Sequence, residues 1–130
     1  MKQHIAQIAL IVDEYDEAIE FYTKKLNFVL KEDTVLSDTK RWVIIIPPGS
    51  GGCGLLLAKA VTDEQKSRIG NQTGGRVFLF LYTDDLKTDY ENMRKQGISF
   101  TREPVSEEWG TVAVFKDLYG NLWDLIEPKN

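Results

Sequence analysis

The sequence predicts an α+β fold in which a strand–helix–strand–strand–strand unit is written twice. Three observations predict it. The sustained apolar runs have strand length. Two amphipathic helical stripes each follow such a run directly, across an acidic cap. The order of elements then restarts at an offset of 71 residues, which carries Gln7 onto Phe78, Asp13 onto Asp84 and Ile19 onto Tyr90. Chance likeness between two strand–helix segments is the plain alternative; the shared spacing and the matching element order favour duplication. A chain of 130 residues, 42% hydrophobic and 28% charged, suits one domain over 1–130, with modules at about 1–72 and 73–130. At that length about 68% of the unfolded surface can be buried without a disulfide or metal staple.

The first module opens on the apolar run Ile5–Val12, too short for a typical helix and so read as a strand. Asp13 stands where a helix N-cap belongs, with Asp16 and Glu17 in the favourable first turn. Tyr15, Ile19, Tyr22 and Leu26 then recur at helical spacing, opposite Glu20, Lys24 and Lys25. Phe28–Leu30, Trp42–Ile46 and Gly54–Leu57 read as three strands, with Pro47, Pro48 and Gly49–Gly52 punctuating the last connection. Thr62–Ile69 reads as a short helix capped by Thr62 or Asp63 and closed by Gly70. In the second module Val77–Tyr82 is a strand. Asp84 or Asp85 caps a helix carrying Leu86, Tyr90 and Met93 that ends at Gly97. Ile98–Thr101, Thr111–Phe115 and Leu122–Ile126 are the closing strands, with Tyr119-Gly120-Asn121 turning the chain before the last.

Composition excludes several classes of function. Sixteen Lys and Arg against twenty Asp and Glu give a net charge of −4 with no dominant basic patch, so no nucleic acid partner is expected. No run approaches the length of a membrane span, so no membrane association is expected. The start lacks a signal-peptide pattern, and with the single Cys53 this points to a reducing cytoplasm. One His and one Cys cannot assemble a closed Cys/His zinc site. A Ser-His-Asp triad would depend on His4, which no Gly-x-Ser-x-Gly elbow accompanies.

Phe21-Tyr22, three residues, then Leu26-Asn27-Phe28, all behind Ile8–Val12 and its acidic cap, resembles the "FY...LGF" signature of the vicinal oxygen chelate superfamily. Asp117-Leu118-Tyr119-Gly120-Asn121 followed by Leu122-Trp123-Asp124-Leu125 is similar to that family's closing "DPDGN...EL" motif. Its members include glyoxalase I, extradiol dioxygenases, and fosfomycin and bleomycin resistance proteins. The resemblance covers the chain and identifies the fold better than the reaction. It implies two βαβββ modules forming a half-open, barrel-like curved sheet, the glyoxalase/bleomycin resistance/dioxygenase fold. It also implies a homodimer with a small-molecule groove on the concave face.

Metal-dependent members of that family place one ligand on the first and one on the last strand of each module. Carried over, those places are Gln7, Leu56, Phe78 and Asp124. Gln7 offers an amide oxygen and Asp124 a carboxylate, whereas Leu56 and Phe78 offer a cation nothing. His4, three residues before Gln7, falls on the opposite face of the strand. The expectation is therefore a degenerate metal site with no resident cofactor, or at most a weakly bound divalent ion on Gln7 and Asp124.

What remains is aromatic. Phe78, Phe80 and Tyr82 share one face of their strand, placed groove-side by the correspondence with Gln7, Ala9 and Ile11. Trp42 and Trp109 are further ring-bearing candidates, Trp109 beside the acidic Glu107 and Glu108. Core packing is the competing explanation for Phe80, Tyr82 and Trp42; Trp123 alternates against Asp124 and is assigned to the core. The candidate ligand-binding set is thus Gln7, Trp42, Leu56, Phe78, Phe80 and Trp109, with Asp124 as the candidate catalytic residue. Two readings stay open. One is a glyoxalase/bleomycin-resistance-like protein that binds a small molecule in a concave groove, most of its metal ligands lost. The other is a metal-dependent lyase or dioxygenase, with Asp124 as base or ligand.

Overall fold

The computed structural model describes residues 1–129. The chain divides into two compact units, Met1–Ile69 and the remainder from Gly70. Each carries a four-stranded mixed sheet, and each sheet is open at both edges.

In the first unit β1 (Gln7–Val12) leads into helix α1 (Tyr15–Glu20), followed by β2 (Val29–Val35), β3 (Arg41–Ile46) and β4 (Gly54–Lys59), in spatial order β1-β4-β3-β2. β1 and β4 run parallel, and the other pairs are antiparallel. Leu10, Val12, Val43, Ile45, Leu55 and Leu57 are buried on one face, with α1 packed over β3 and β4. The cap of α1 differs from expectation: Glu14 precedes the helix in extended backbone and makes no side-chain cap, so Asp13 is not the N-cap. The helix also changes pitch, continuing as a π-helical turn over Phe21–Lys25. The wider turn places consecutive Phe21 and Tyr22 both inside, edge to face at 5.3 Å. Asn27 follows at φ 59°, and the Phe28 N–H returns to the Tyr22 carbonyl at 2.9 Å. Few residues tolerate that left-handed backbone, and asparagine is one of them.

β2 runs to Val35 rather than stopping at Leu30. All seven of its residues are exposed, so no hydrophobic alternation marks it in the sequence. A short helix α2 (Asp63–Ser67) closes the unit. Thr62 caps it, and Gln65 reaches back to complete a capping box.

The second unit repeats the plan: β5 (Val77–Tyr82), α3 (Leu86–Lys95), β6 (Phe100–Glu107), β7 (Gly110–Lys116) and β8 (Leu122–Pro128), in order β5-β8-β7-β6. Asp85 is the N-cap of α3, its Oδ1 accepting from the Thr88 N–H. β6 is longer than expected, because breaks in its pairing with β7 either side of Arg102 hide its period. Ile98 is buried ahead of the strand. The core on the α3 side is aromatic: Tyr90 meets Phe100 at 4.6 Å, and Phe115 stacks on Trp123 at 5.7 Å.

The connection from β7 to β8 winds around the buried Asp117. Its Oδ1 accepts from the backbone N–H groups of Tyr119, Gly120 and Asn121, and its Oδ2 from the side chains of Asn121 and Trp123. Gly70 lies against this turn: a Cβ there would sit 1.9 Å from the Tyr119 carbonyl oxygen.

Candidate functional site

Strand alternation decides which side chains of β8 face α3 and which face away. The Leu86 N–H at the start of α3 donates to Glu127 Oε1 at 2.8 Å, and Trp123 is buried with Phe115, so Trp123, Leu125 and Glu127 share the α3 face. Leu122, Asp124 and Ile126 therefore belong to the other face. Register extends that row across the sheet: Phe80 lies beside Asp124, Asp124 beside Val114, and Val114 beside Arg102. The structure thus brings Phe80 and Asp124 together. Phe78 occupies an irregularity between Val77 and Leu79 and has no partner in the β5–β8 register, so Phe80 rather than Phe78 is the ring beside the carboxylate. Phe80 is 62% exposed and Tyr82 66%, which sets aside the core explanation for both. Burial pushes the Asp124 carboxyl above its ordinary value, and the positive charge of Arg102 pulls it partway back.

In the first unit the same relationship recurs with different chemistry. Leu56 pairs with Ala9, as Asp124 pairs with Phe80. The offset is 71 on the first strands (80 less 9) and 68 on the last (124 less 56). Gln7 is half-buried two register steps away, on the same face and beside Gly54.

Trp42 and Leu56 meet in a cavity of about 530 Å³ lined also by Ala58, Val61, Thr62 and Gln65. The capping box that starts α2 forms part of this wall. Tyr15 and Arg41 line it too, but Arg41 is committed elsewhere. Its Nη1 meets Asp16 at 2.7 Å, its Nε and Nη2 grip Asp33 at 3.1 and 2.6 Å, and its guanidinium lies 5.2 Å from the Tyr15 ring. Hydrogen bonds that it donates to Asp33, then to Asp16, raise its pKa.

The donor set does not fit the divalent centre implied by the fold. Within the first unit the two corresponding places hold an amide and an alkyl group; within the second, a phenyl ring and a carboxylate. Among the described residues no three His, Cys, Asp or Glu side chains converge on a point that could hold a metal ion. His4 is exposed ahead of β1, and Cys53 is exposed in the glycine loop before β4.

Trp109 is 54% exposed in the β6–β7 turn, its carbonyl accepting from the Lys129 N–H at 3.0 Å. Lys129 is five residues past Asp124, about 17 Å along a strand, so Trp109 is not brought to the Asp124 row. Glu107 beside it is paired with Arg102 at 3.4 Å rather than left to attract a cationic ligand. Sequence reasoning missed Arg102. Its signal was an arginine inside a strand, masked by the irregular pairing around it.

The sequence model of the Glyoxalase/Bleomycin resistance protein/Dioxygenase superfamily matches residues 4–125. An uncharacterized protein of Shewanella frigidimarina (strain NCIMB 400) is 59% identical over 128 residues, covering 98% of this chain and 95% of that one. Among solved structures, UcmS2 superposes with a TM-score of 0.84 at 27% identity, covering 97% and 98% of the two chains. TnmS3, an antibiotic binding protein from Streptomyces sp. CB03234, superposes with a TM-score of 0.78 at 25% identity, covering 98% of each.

Proposed function

We propose, since the chain belongs to the glyoxalase/bleomycin resistance protein/dioxygenase superfamily, that it binds a planar aromatic, antibiotic-like small molecule without needing a metal ion. The observation that carries this reading is Phe80: a ring 62% exposed on a sheet face, directly beside the only carboxylate at a metal-ligand place. An exposed ring on a rigid strand is a ready stacking platform. Covering about 100 Å² of it contributes about 2.5 kcal/mol, and stacking geometry about 1 kcal/mol more. The Trp42–Leu56 cavity of the first unit gives an apolar lining of the right scale for a small molecule. The likeness to TnmS3 supports an antibiotic as the class of ligand.

The proposal includes a homodimer, in keeping with the exposed apolar residues Val29, Leu30, Val35 and Leu36 on and just after edge strand β2. It also includes a cytoplasmic location, consistent with the free thiol of Cys53; no helix among the described residues is long and apolar enough to cross a membrane.

Calorimetric titration in EDTA against bleomycin, novobiocin, tetracycline and daunomycin tests the reading. The expected result is micromolar or tighter binding of at least one, with the compound recovered unchanged and Phe80→Ala weakening binding by at least tenfold. Absence of binding by all four, or conversion of a compound only after nickel or manganese is added, overturns it. The second outcome would restore the metal-dependent lyase or dioxygenase reading.

A further inference from the structure

The face that carries Phe80 is largely apolar on β5, β7 and β8, and on β6 Glu107 shares it, in register with Gly110. Along β5, β7 and β8 its side chains include Phe80, Tyr82, Leu122, Ile126, Val112 and Val114; Asp124 is the carboxylate in this set, and Lys116 its cation, in register with Leu122. On β6 the row ends at Arg102, two strands from Asp124 or about 10 Å between backbones, a span that an arginine side chain crosses. Among the described residues its ion-pair partner is Glu107. That contact is a single one, at 3.4 Å, between side chains 50% and 40% exposed. It is long for a charge-assisted hydrogen bond and uses one of five guanidinium N–H donors.

We propose that Arg102 is a specificity-determining residue that receives the acidic oxygen of an aromatic ligand stacked on Phe80, so that the protein selects aromatic acids over neutral or cationic rings. The proposal rests on the aromatic-binding reading above. Three features favour an anion over a cation. The guanidinium keeps its planar fork available, which suits a carboxylate or phenolate bidentately. Lys116 adds a second positive charge to the same face. Asp124, the competing anchor for a ligand cation, is already opposed by the charge of Arg102 on the same row.

The test is an NMR titration of the full chain with three compounds sharing one ring: 2-naphthoate, 2-naphthamide and 2-naphthylmethylammonium. The wild type is expected to bind the acid most tightly. Arg102→Gln should lower affinity for naphthoate about tenfold and leave naphthamide within twofold, with Arg102→Lys between the two. Arg102 is half-exposed, and unchanged backbone shifts in each variant verify the fold. Tightest binding of the ammonium compound, or naphthoate affinity unchanged by Arg102→Gln, overturns the proposal while leaving aromatic binding intact. Failure of all three compounds to shift the resonances of Phe80 and its neighbours overturns both.

Discussion

Asp117 shows what a buried carboxylate does when every donor around it is supplied by one turn. Five N–H groups converge on its two oxygens, three of them backbone. Asp117→Ala leaves those donors facing a void and is expected to cost about 3 kcal/mol, read as a lower midpoint in urea with an unchanged slope. Asp124 carries the opposite sign. Its pKa is raised in the folded state, chiefly by burial, so charging it opposes folding. Its favourable contribution is complete below the ordinary carboxylate value and is lost as pH rises through the higher folded value. Asp124→Asn should therefore be slightly more stable than wild type at pH 7, by no more than about 0.5 kcal/mol after solvent screening. The difference should vanish below pH 4 in thermal melts. Asn27 explains a departure of another kind: the family pattern has glycine where this chain has asparagine, and φ 59° is a conformation both adopt.

The elements differ in how they hold together. Helix α2 spans only Asp63–Ser67 and none of its residues is buried, so its capping box is its main support. Thr62→Ala should cost about 1 kcal/mol locally. Faster amide exchange at Gln65 and Lys66, with the exchange of β3 and β4 unchanged, checks this. Because Thr62 and Gln65 also line the Trp42–Leu56 cavity, the same change loosens that wall. The legibility of the elements follows from their burial. β5 was readable to the residue, and α3 to within one residue of its cap, because apolar runs and an Asp-headed stripe announce them. β2 was cut short because an exposed strand has no apolar period to read. The π-helical turn over Phe21–Lys25 was invisible because it ends the helix, leaving no further apolar stripe beyond it to reveal the change of phase. Of the candidate site, Phe80 and Asp124 were both named from the sequence. Their adjacency was not: it depends on an irregularity at Phe78 that only pairing reveals.

For the whole molecule, a repeated βαβββ plan supplies the frame and its unlike side chains supply the chemistry. Equivalent neighbours are Ala9 with Leu56 in one unit and Phe80 with Asp124 in the other, so the two halves present unlike surfaces on like sheets. With one amide and one carboxylate at the four places the family resemblance implies for metal ligands, nickel, zinc or manganese at 100 μM is expected to move the melting temperature by less than about 1 °C relative to EDTA. Dialysis followed by elemental analysis should find no stoichiometric metal. The glycine loop ahead of β4 bears on any measurement of assembly. Cys53 stands exposed there with no second cysteine in the chain to receive it. On oxidation its sulfur can bridge only to another molecule, welding copies into covalent pairs that imitate a natural association. Only a species that survives reductant reports the noncovalent interface, and a maleimide placed on that same sulfur gives one homogeneous attachment point three residues from Leu56.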